Sequence, residues 1–340
     1  MKTNTLTTRL NPAILNSLAI AYICVVYLVG VGLLFSHSWL LNIIGVILTT
    51  HSLVLSTYLI HELLHDNIFK QRSLNNLFGR ILTHINGGCY APYEDLVEHH
   101  INHHIYHVDF VPFEIARFFK DLPRLIRYFF VALEWAYFPV FEFIMRWRLI
   151  IAPFKNPQKS HLRWRTLGIM AYRGSLAIII AMISPKALLL YFLAYICFVN
   201  LIRFADAFHH TYEYAIAGAE LTKRDRKVPC PKRDRVYEQV NTFSNFVSYK
   251  YPWLNLLYLN FGYHNAHHYD MRCPWYRLPE LHQSLYGEET KNLLPLPQLV
   301  SNYHRFRIAR LFGGQGDVEP ENAGITAFTG GIGVSLLTPP

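Results

Sequence analysis

From Leu10 to His61 the sequence contains no Asp, Glu, Lys or Arg. Soluble domains rarely leave so long a stretch uncharged, so the gap argues against a water-soluble fold. The five cysteines (Cys24, Cys89, Cys197, Cys230 and Cys273) form no CxxC pair. Reduced thiols are therefore the simplest reading, rather than a zinc ribbon or a disulfide framework. No small-residue cleavage site follows the first apolar run, which is too long for the core of a secretory signal. No repeat of solenoid period is visible.

Hydrophobic residues make up 52% of the chain, and they are clustered. A membrane span needs about 20 mostly apolar residues. Four runs qualify: 13–35 and 39–60, separated by Ser36, His37 and Ser38, then 167–184 and 187–205, separated by Pro185 and Lys186. Arg203 ends the fourth run. Arg173 lies inside the third, where its long stem lets the guanidinium snorkel to the interface, the alternative being a place in a functional site. The N-terminus, the 62–165 segment and the residues after Ala205 hold nearly all Lys and Arg, and the opposite turns hold only Lys186. By the positive-inside bias, both hairpins hang from the cytoplasmic face. The formal net charge of +9 then reads as attraction to anionic lipid headgroups and not to nucleic acid.

The segment 122–152 is rich in Phe, Tyr and Trp but is interrupted by Arg124, Arg127, Glu134, Glu142, Arg146 and Arg148, with Pro139 to kink it. Aromatic residues on one side and charges on the other fit a helix lying in the interface plane. The expected fold is an all-α integral membrane protein: four transmembrane helices in two hairpins, with a cytoplasmic helical cap holding the histidines. It occupies residues 1–312, followed by a mobile Gly-rich tail at 313–340.

The 18 histidines are not scattered. His61 and His65 form one group, His99, His100, His103 and His104 a second, and His264, His267 and His268 a third, with His209 and His210 as a further pair. Residues three and four apart share a helix face, so each group presents its imidazoles as a stripe that can converge on metal. Imidazole suits Zn, Cu, Fe and Ni alike. So many ligands exceed what one tetrahedral zinc takes, and two metals of higher coordination number use them naturally. The lone histidines His37, His51, His84, His161, His282 and His304 read as satisfied polar residues or interfacial anchors. If the groups share one site, an even number of crossings separates them. The 167–205 hairpin supplies two, provided that 122–152 does not cross.

HELLH at 61–65, HINHH at 100–104 and HNAHH at 264–268, in that order, resemble the histidine boxes of the membrane fatty acid desaturase superfamily, which also contains alkane and carotenoid hydroxylases and ketolases. The resemblance runs from about Leu53 to Leu285. It implies a centre of two iron ions, O2 as co-substrate, and His61, His65, His100, His103, His104, His210, His264, His267 and His268 as metal ligands. His210 enters through DAFHHTYE at 206–213; His99 doubles His100 and His209 doubles His210, and His107 and His209 are left as supporting residues. Glu62, Glu98 and Asp206 are candidates to orient imidazoles, a surface charge being the alternative for each. A lipid or fatty acyl chain is the implied substrate, with Tyr90, Tyr106, Tyr212 and Trp275 as candidate tunnel walls or interfacial belt residues. No cytochrome b5 or ferredoxin signature appears, so a separate electron donor, a ferredoxin or similar protein, is expected. The basic stretch Lys223 to Arg235 offers it, or lipid headgroups, a docking site. With no targeting segment or fused electron-transfer domain visible, the expected host is a bacterial plasma membrane.

HELLH is also a literal HExxH, which on a membrane helix reads as an intramembrane zinc protease with Glu62 as base. That reading leaves two histidine boxes without a role. A metal transporter would carry its ligands at mid-membrane depth, whereas these groups flank the apolar runs. Within the oxidases, the ligand set does not separate a desaturase from a hydroxylase or ketolase acting on a lipid or carotenoid.

Overall fold

Apolar surroundings oblige a spanning backbone to satisfy its own N–H and C=O groups, and the four apolar runs are helical accordingly. The computed structural model describes residues 10–111, 113–216, 231–287, 293–313 and 328–332. Its first half contains α1 (Pro12–Leu34), α2 (Trp39–Leu64), α3 (Arg72–Asn86), α4 (Tyr93–Tyr106), β1 (Val108–Val111), α5 (Ile115–Asp121), α6 (Arg124–Trp135) and α7 (Val140–Lys155). There follow α8 (Arg163–Ile183), α9 (Pro185–Asp206), β2 (Glu213–Ile216), α10 (Arg235–Asn241), α11 (His264–Tyr269), α12 (Leu278–Tyr286), α13 (Leu296–Arg305) and α14 (Ala309–Gly313). Among the described residues, four helices are long and apolar enough to cross a membrane: α1, α2, α8 with the turn before it (Pro157–Ile183), and α9.

Three of these spans start on the same device, a polar cap followed by proline at the first helical position, where a missing N–H costs nothing; in the third span Asn156 Oδ1 accepts from Gln158 N at 3.0 Å around Pro157. Asn11 Oδ1 accepts from Ala13 N at 2.9 Å ahead of α1, and Ser184 Oγ from Ala187 N at 3.1 Å ahead of α9. Pro185 and Lys186 therefore belong to α9 and not to the turn before it. Lys186 Nζ donates to Ser36 O at 2.5 Å and Asn42 Oδ1 at 2.9 Å, binding the α1–α2 turn to the start of α9. Where α1 and α2 meet, a Cβ on Gly45 would lie 2.9 Å from the Gly30 carbonyl oxygen. Only a residue without a side chain lets the backbones approach that closely.

The two ends of α2 meet different surroundings. Trp39, Leu40, Ile43 and Ile47 are exposed, whereas Ser52 to Leu64 are buried without interruption. The helix thus runs four residues beyond the expected end of its apolar run and carries HELLH into the core. Tyr58, Leu59, Ile60 and Leu63 pack there with Phe198 and Ile202 of α9, Leu96 of α4, and Phe261.

The single helix expected over 122–152 is two, α6 and α7, meeting at 115°. Tyr137 is left-handed (φ 62°) and Pro139 lacks an N–H, so the ladder stops between them. The charges are not all on an outer face either. Arg203 Nη1 lies 2.9 Å from Glu134 Oε2 and Arg203 Nε 3.1 Å from Glu142 Oε1, with both carboxylates buried. Removing one partner of a buried ion group leaves the others uncompensated at about 3–5 kcal/mol. Arg203→Met should therefore lower the thermal midpoint in detergent steeply, whereas Arg124→Met, at an exposed position, should leave it within a degree or two.

An all-α fold is also not quite what forms. β1 and β2 pair in parallel, Val108 opposite Glu213 through Val111 opposite Ile216. The pairing stitches the chain after the second histidine group to the chain after His210. Within the Gly-rich tail, Phe328 and Ile332 are buried, and Gly331 N donates to Ala207 O at 2.6 Å, so residues 328–332 are packed against the segment that carries His209 and His210. The remaining positions after Gly313 lie outside the described residues, as does Cys230.

Candidate metal centre

Four segments deliver imidazoles to one place. α2 brings His61 and His65 from its buried end, α4 brings His100, His103 and His104, the chain after α9 brings His210, and α11 brings His264, His267 and His268. Five of these, His61, His65, His100, His104 and His267, have ligand atoms all within 4.8 Å of one another, and so do His103, His210 and His268. His264 Nε2 lies 2.6 Å from His210 Nε2, which sets it beside the second group. All nine imidazoles expected from the sequence are thus gathered into two adjacent groups.

The nitrogens that meet are mostly Nε2. His65 to His100 is 2.9 Å, His104 to His100 3.2 Å, His267 to His104 3.1 Å and His210 to His268 2.9 Å. Neutral imidazoles have one lone pair each, and the Nδ1 partners decide which nitrogen keeps it. His103 Nδ1 lies 2.9 Å from Val108 O, which can only accept, so His103 carries its proton there and turns a bare Nε2 inward. His268 Nδ1 lies 3.1 Å from Tyr212 Oη. Asp109 Oδ1 stands 3.3 Å from His103 Nδ1 and 3.5 Å from His210 Nδ1, and Glu62 Oε1 3.5 Å from His61 Nδ1. Burial first, and the neighbouring imidazoles second, hold His65, His100, His104, His210, His264, His267 and His268 well below the usual imidazole range. Neutral rings with converging ring nitrogens, four of them (His61, His103, His210 and His268) with an oxygen facing the outer nitrogen, are what a cation bound by imidazole needs. The residues fit a metal.

The doublets separate. His99 Nδ1 is turned back to Asp95 O at 2.6 Å, and His209 Nε2 is engaged with Asn245 Oδ1 at 3.2 Å. Neither is in a convergent group, and His107 instead meets Glu238 Oε1 at 2.9 Å. Of the acidic candidates, Glu62 accepts from Trp275 N at 3.0 Å and Asn67 Nδ2 at 3.2 Å, Asp206 stands 3.9 Å from His209 Nδ1, and Glu98 is exposed. Asp109 stands outside the histidine motifs; its signal in the sequence is a single acid in the apolar run Val108–Val111 directly after the second box. A five-imidazole group around HELLH also exceeds the three protein ligands of a zinc protease.

Two cavities flank the centre. One, of about 670 Å³, is mainly apolar and runs between α1, α2, α9 and the chain at 245–258. Its aromatic walls are Tyr22, Tyr58, Phe204 and Tyr258, none of them among the aromatic residues picked from the sequence. Of those, Tyr212 supports His268, and Trp275 is tied by its indole N–H to Asn16 Oδ1 at 3.1 Å. The second cavity, of about 590 Å³, reaches His104 and His268 from a net cationic rim of Lys232, Arg233 and Arg272, where Asp270 pairs with Arg233 at 2.7 Å. Lys223, Arg224, Arg226 and Lys227 of the basic stretch lie outside the described residues.

The lone histidines lie outside both groups. His282 is the informative one. It is buried among Phe246, Tyr263 and Tyr286, with no hydrogen-bond partner on either nitrogen among the described residues. Burial pushes it down to about 4. Unfolded histidine titrates near 6.5, so between these values the unfolded chain binds the extra proton, and stability falls as pH drops through that window, by about 3 kcal/mol when complete. His282→Phe should keep full turnover and flatten the thermal midpoint between pH 6.5 and 4. Inactivity would show that this residue serves the centre.

The fatty acid desaturase family model matches residues 37–299 of the chain. No curated protein and no solved structure matches it.

Proposed function

The chain belongs to the membrane fatty acid desaturase superfamily, an oxidoreductase family of membrane proteins, and we propose that it is an O2-dependent diiron desaturase that introduces a double bond into a lipid acyl chain. The observation that carries this reading is the convergence of eight largely buried imidazoles in two groups, with His264 beside the second, next to an apolar cavity.

In this reading His61, His65, His100, His104 and His267 hold one iron, and His103, His210, His264 and His268 hold the other. Bound there, the two irons would supply the activation of O2 needed to oxidise an unactivated C–H bond. Asp109, Glu62, Tyr212 and the Val108 carbonyl keep the rings in register by taking or facing their outer nitrogens. The apolar cavity holds the acyl chain and excludes water. Because an alkyl carbon offers no polar handle, the position of the chain along the wall decides which hydrogens leave. Each turnover joins a saturated chain, O2, two electrons and two protons to give the alkene and two waters. The electrons come from a separate donor, a ferredoxin or similar protein. The four spans form two hairpins hung from the cytoplasmic face, with the centre on that side and α6 and α7 at the interface, in a bacterial plasma membrane.

Expression with a reductase system and lipid profiling by mass spectrometry tests the reaction. The expected product is lighter than its precursor by two hydrogens. A gain of one oxygen would assign a hydroxylase or ketolase instead, and one zinc per chain in place of iron would overturn both.

A further inference from the structure

The apolar cavity has a far end and a mouth. At the far end Tyr58 lies against Phe261 with the rings tilted and their centroids 4.4 Å apart, and Phe261 meets His61 edge-on at 4.8 Å. At the mouth the lining residues Tyr22, Ile47, Leu201 and Leu257 are exposed by 43%, 59%, 48% and 49%. Three of these four lie on α1, α2 and α9, within segments apolar enough to cross a membrane. His51, also on the wall, precedes His61 by ten residues of one helix, roughly 15 Å along its axis. Half of a hydrocarbon core is about that thick, so what stands outside the mouth is lipid tail and not water.

A polar contact spans this apolar opening. His51 Nε2 lies 2.8 Å from Leu257 O, which only accepts, so Nε2 carries the proton and Nδ1 is left to accept from Tyr22 Oη at 3.0 Å. Ionisable side chains at such depth are rare and mark function more often than not. The carbonyl belongs to Pro252–Tyr258, a 3-10 stretch of seven residues, longer than this poorly bonded helix usually runs. It ends in two successive left-handed residues that are not glycine, Leu259 (φ 52°) and Asn260 (φ 56°), directly before Phe261 and the third histidine box. Strain of this kind collects at clamps and moving segments.

Resting on the desaturase reading for its substrate, we propose that the acyl chain belongs to a lipid already resident in the bilayer. It enters sideways between α1, α2 and Pro252–Tyr258, and this segment is a lid latched through His51 to Tyr22. A water-soluble acyl thioester threading from the cationic cavity is the route this excludes.

The test uses the full chain in vesicles containing a phospholipid with a photoactivatable diazirine on one acyl chain, with adducts mapped by mass spectrometry. Adducts on Tyr22, Ile47, Leu201 or Leu257 are expected. Ile47→Trp, which fills the mouth from a lipid-facing position, should cut labelling about tenfold. His51→Phe should speed labelling by releasing the lid. Adducts confined to Ile105, Lys232 or Arg272, or labelling indifferent to Ile47→Trp, would overturn lateral entry, and an unchanged rate in His51→Phe would overturn the latch. The labelling needs no turnover. An iron-free or product-free protein that still labels at the mouth would therefore sink the oxidase reading while leaving the entry route standing.

Discussion

His267→Ala is expected to abolish turnover while leaving the chain inserted in the membrane, and His103→Ala to do the same from the other group. His267 Nε2 faces His104 Nε2 in the five-imidazole group, whereas His103 sits with His210 and His268. Removing a residue that merely supports a metal ligand typically costs 10–100-fold, so loss of a ligand should exceed about 100-fold. Each variant should also lose about one metal ion per chain, from a different position. Lipid mass spectrometry, metal analysis and size-exclusion chromatography read the three consequences separately. Near-normal product from either variant would remove that residue from the ligand set.

Asp109→Leu is the second large effect. One carboxylate oxygen stands 3.3 Å from His103 Nδ1 and 3.5 Å from His210 Nδ1, in a side chain that is 3% exposed. Leucine keeps the branching at Cγ, in a somewhat larger side chain, and removes the acceptor. His103 retains the Val108 carbonyl on its Nδ1, but His210 loses the carboxylate facing it, so its proton can move to Nε2 and point into the centre. A loss of about 10–100-fold in metal affinity, confined to one of two sites, should appear in stepwise iron loading of the stripped protein. Equal weakening of both sites, or none, would contradict the assignment of Asp109 to the second group.

Much of the fold and of the centre is legible in the sequence alone, and the reason is locality. Spans announce themselves through uninterrupted apolar runs, and imidazoles three and four apart share a helix face whatever the rest of the chain does. Which member of a doublet turns inward is a different kind of fact. His99 and His100 differ by about 100° around one helix, and the rotation of α4 against α2 decides between them. The supporting contacts are more remote still. His107 meets Glu238 across 131 positions, and Arg203 meets Glu134 across 69. No local pattern links such pairs. The charges of Glu134 and Glu142 suggested an outward polar face because a helical wheel has no knowledge of Arg203 waiting on α9. β1 and β2 leave no sequence signal for a similar reason, since four-residue strands paired in parallel across the third and fourth spans have almost no periodic trace. The lid carried a backbone signature in place of a sequence one, because Leu259 and Asn260 are ordinary residues in an uncommon conformation.

The central claim is that these imidazoles meet around a pair of iron ions. Mössbauer spectroscopy on protein purified from cells grown with 57Fe, alongside total metal analysis, tests it most directly. About two irons per chain with a magnetically coupled signature is the expected result, in line with the two histidine groups. A single zinc, or iron present only as isolated uncoupled ions, would contradict it.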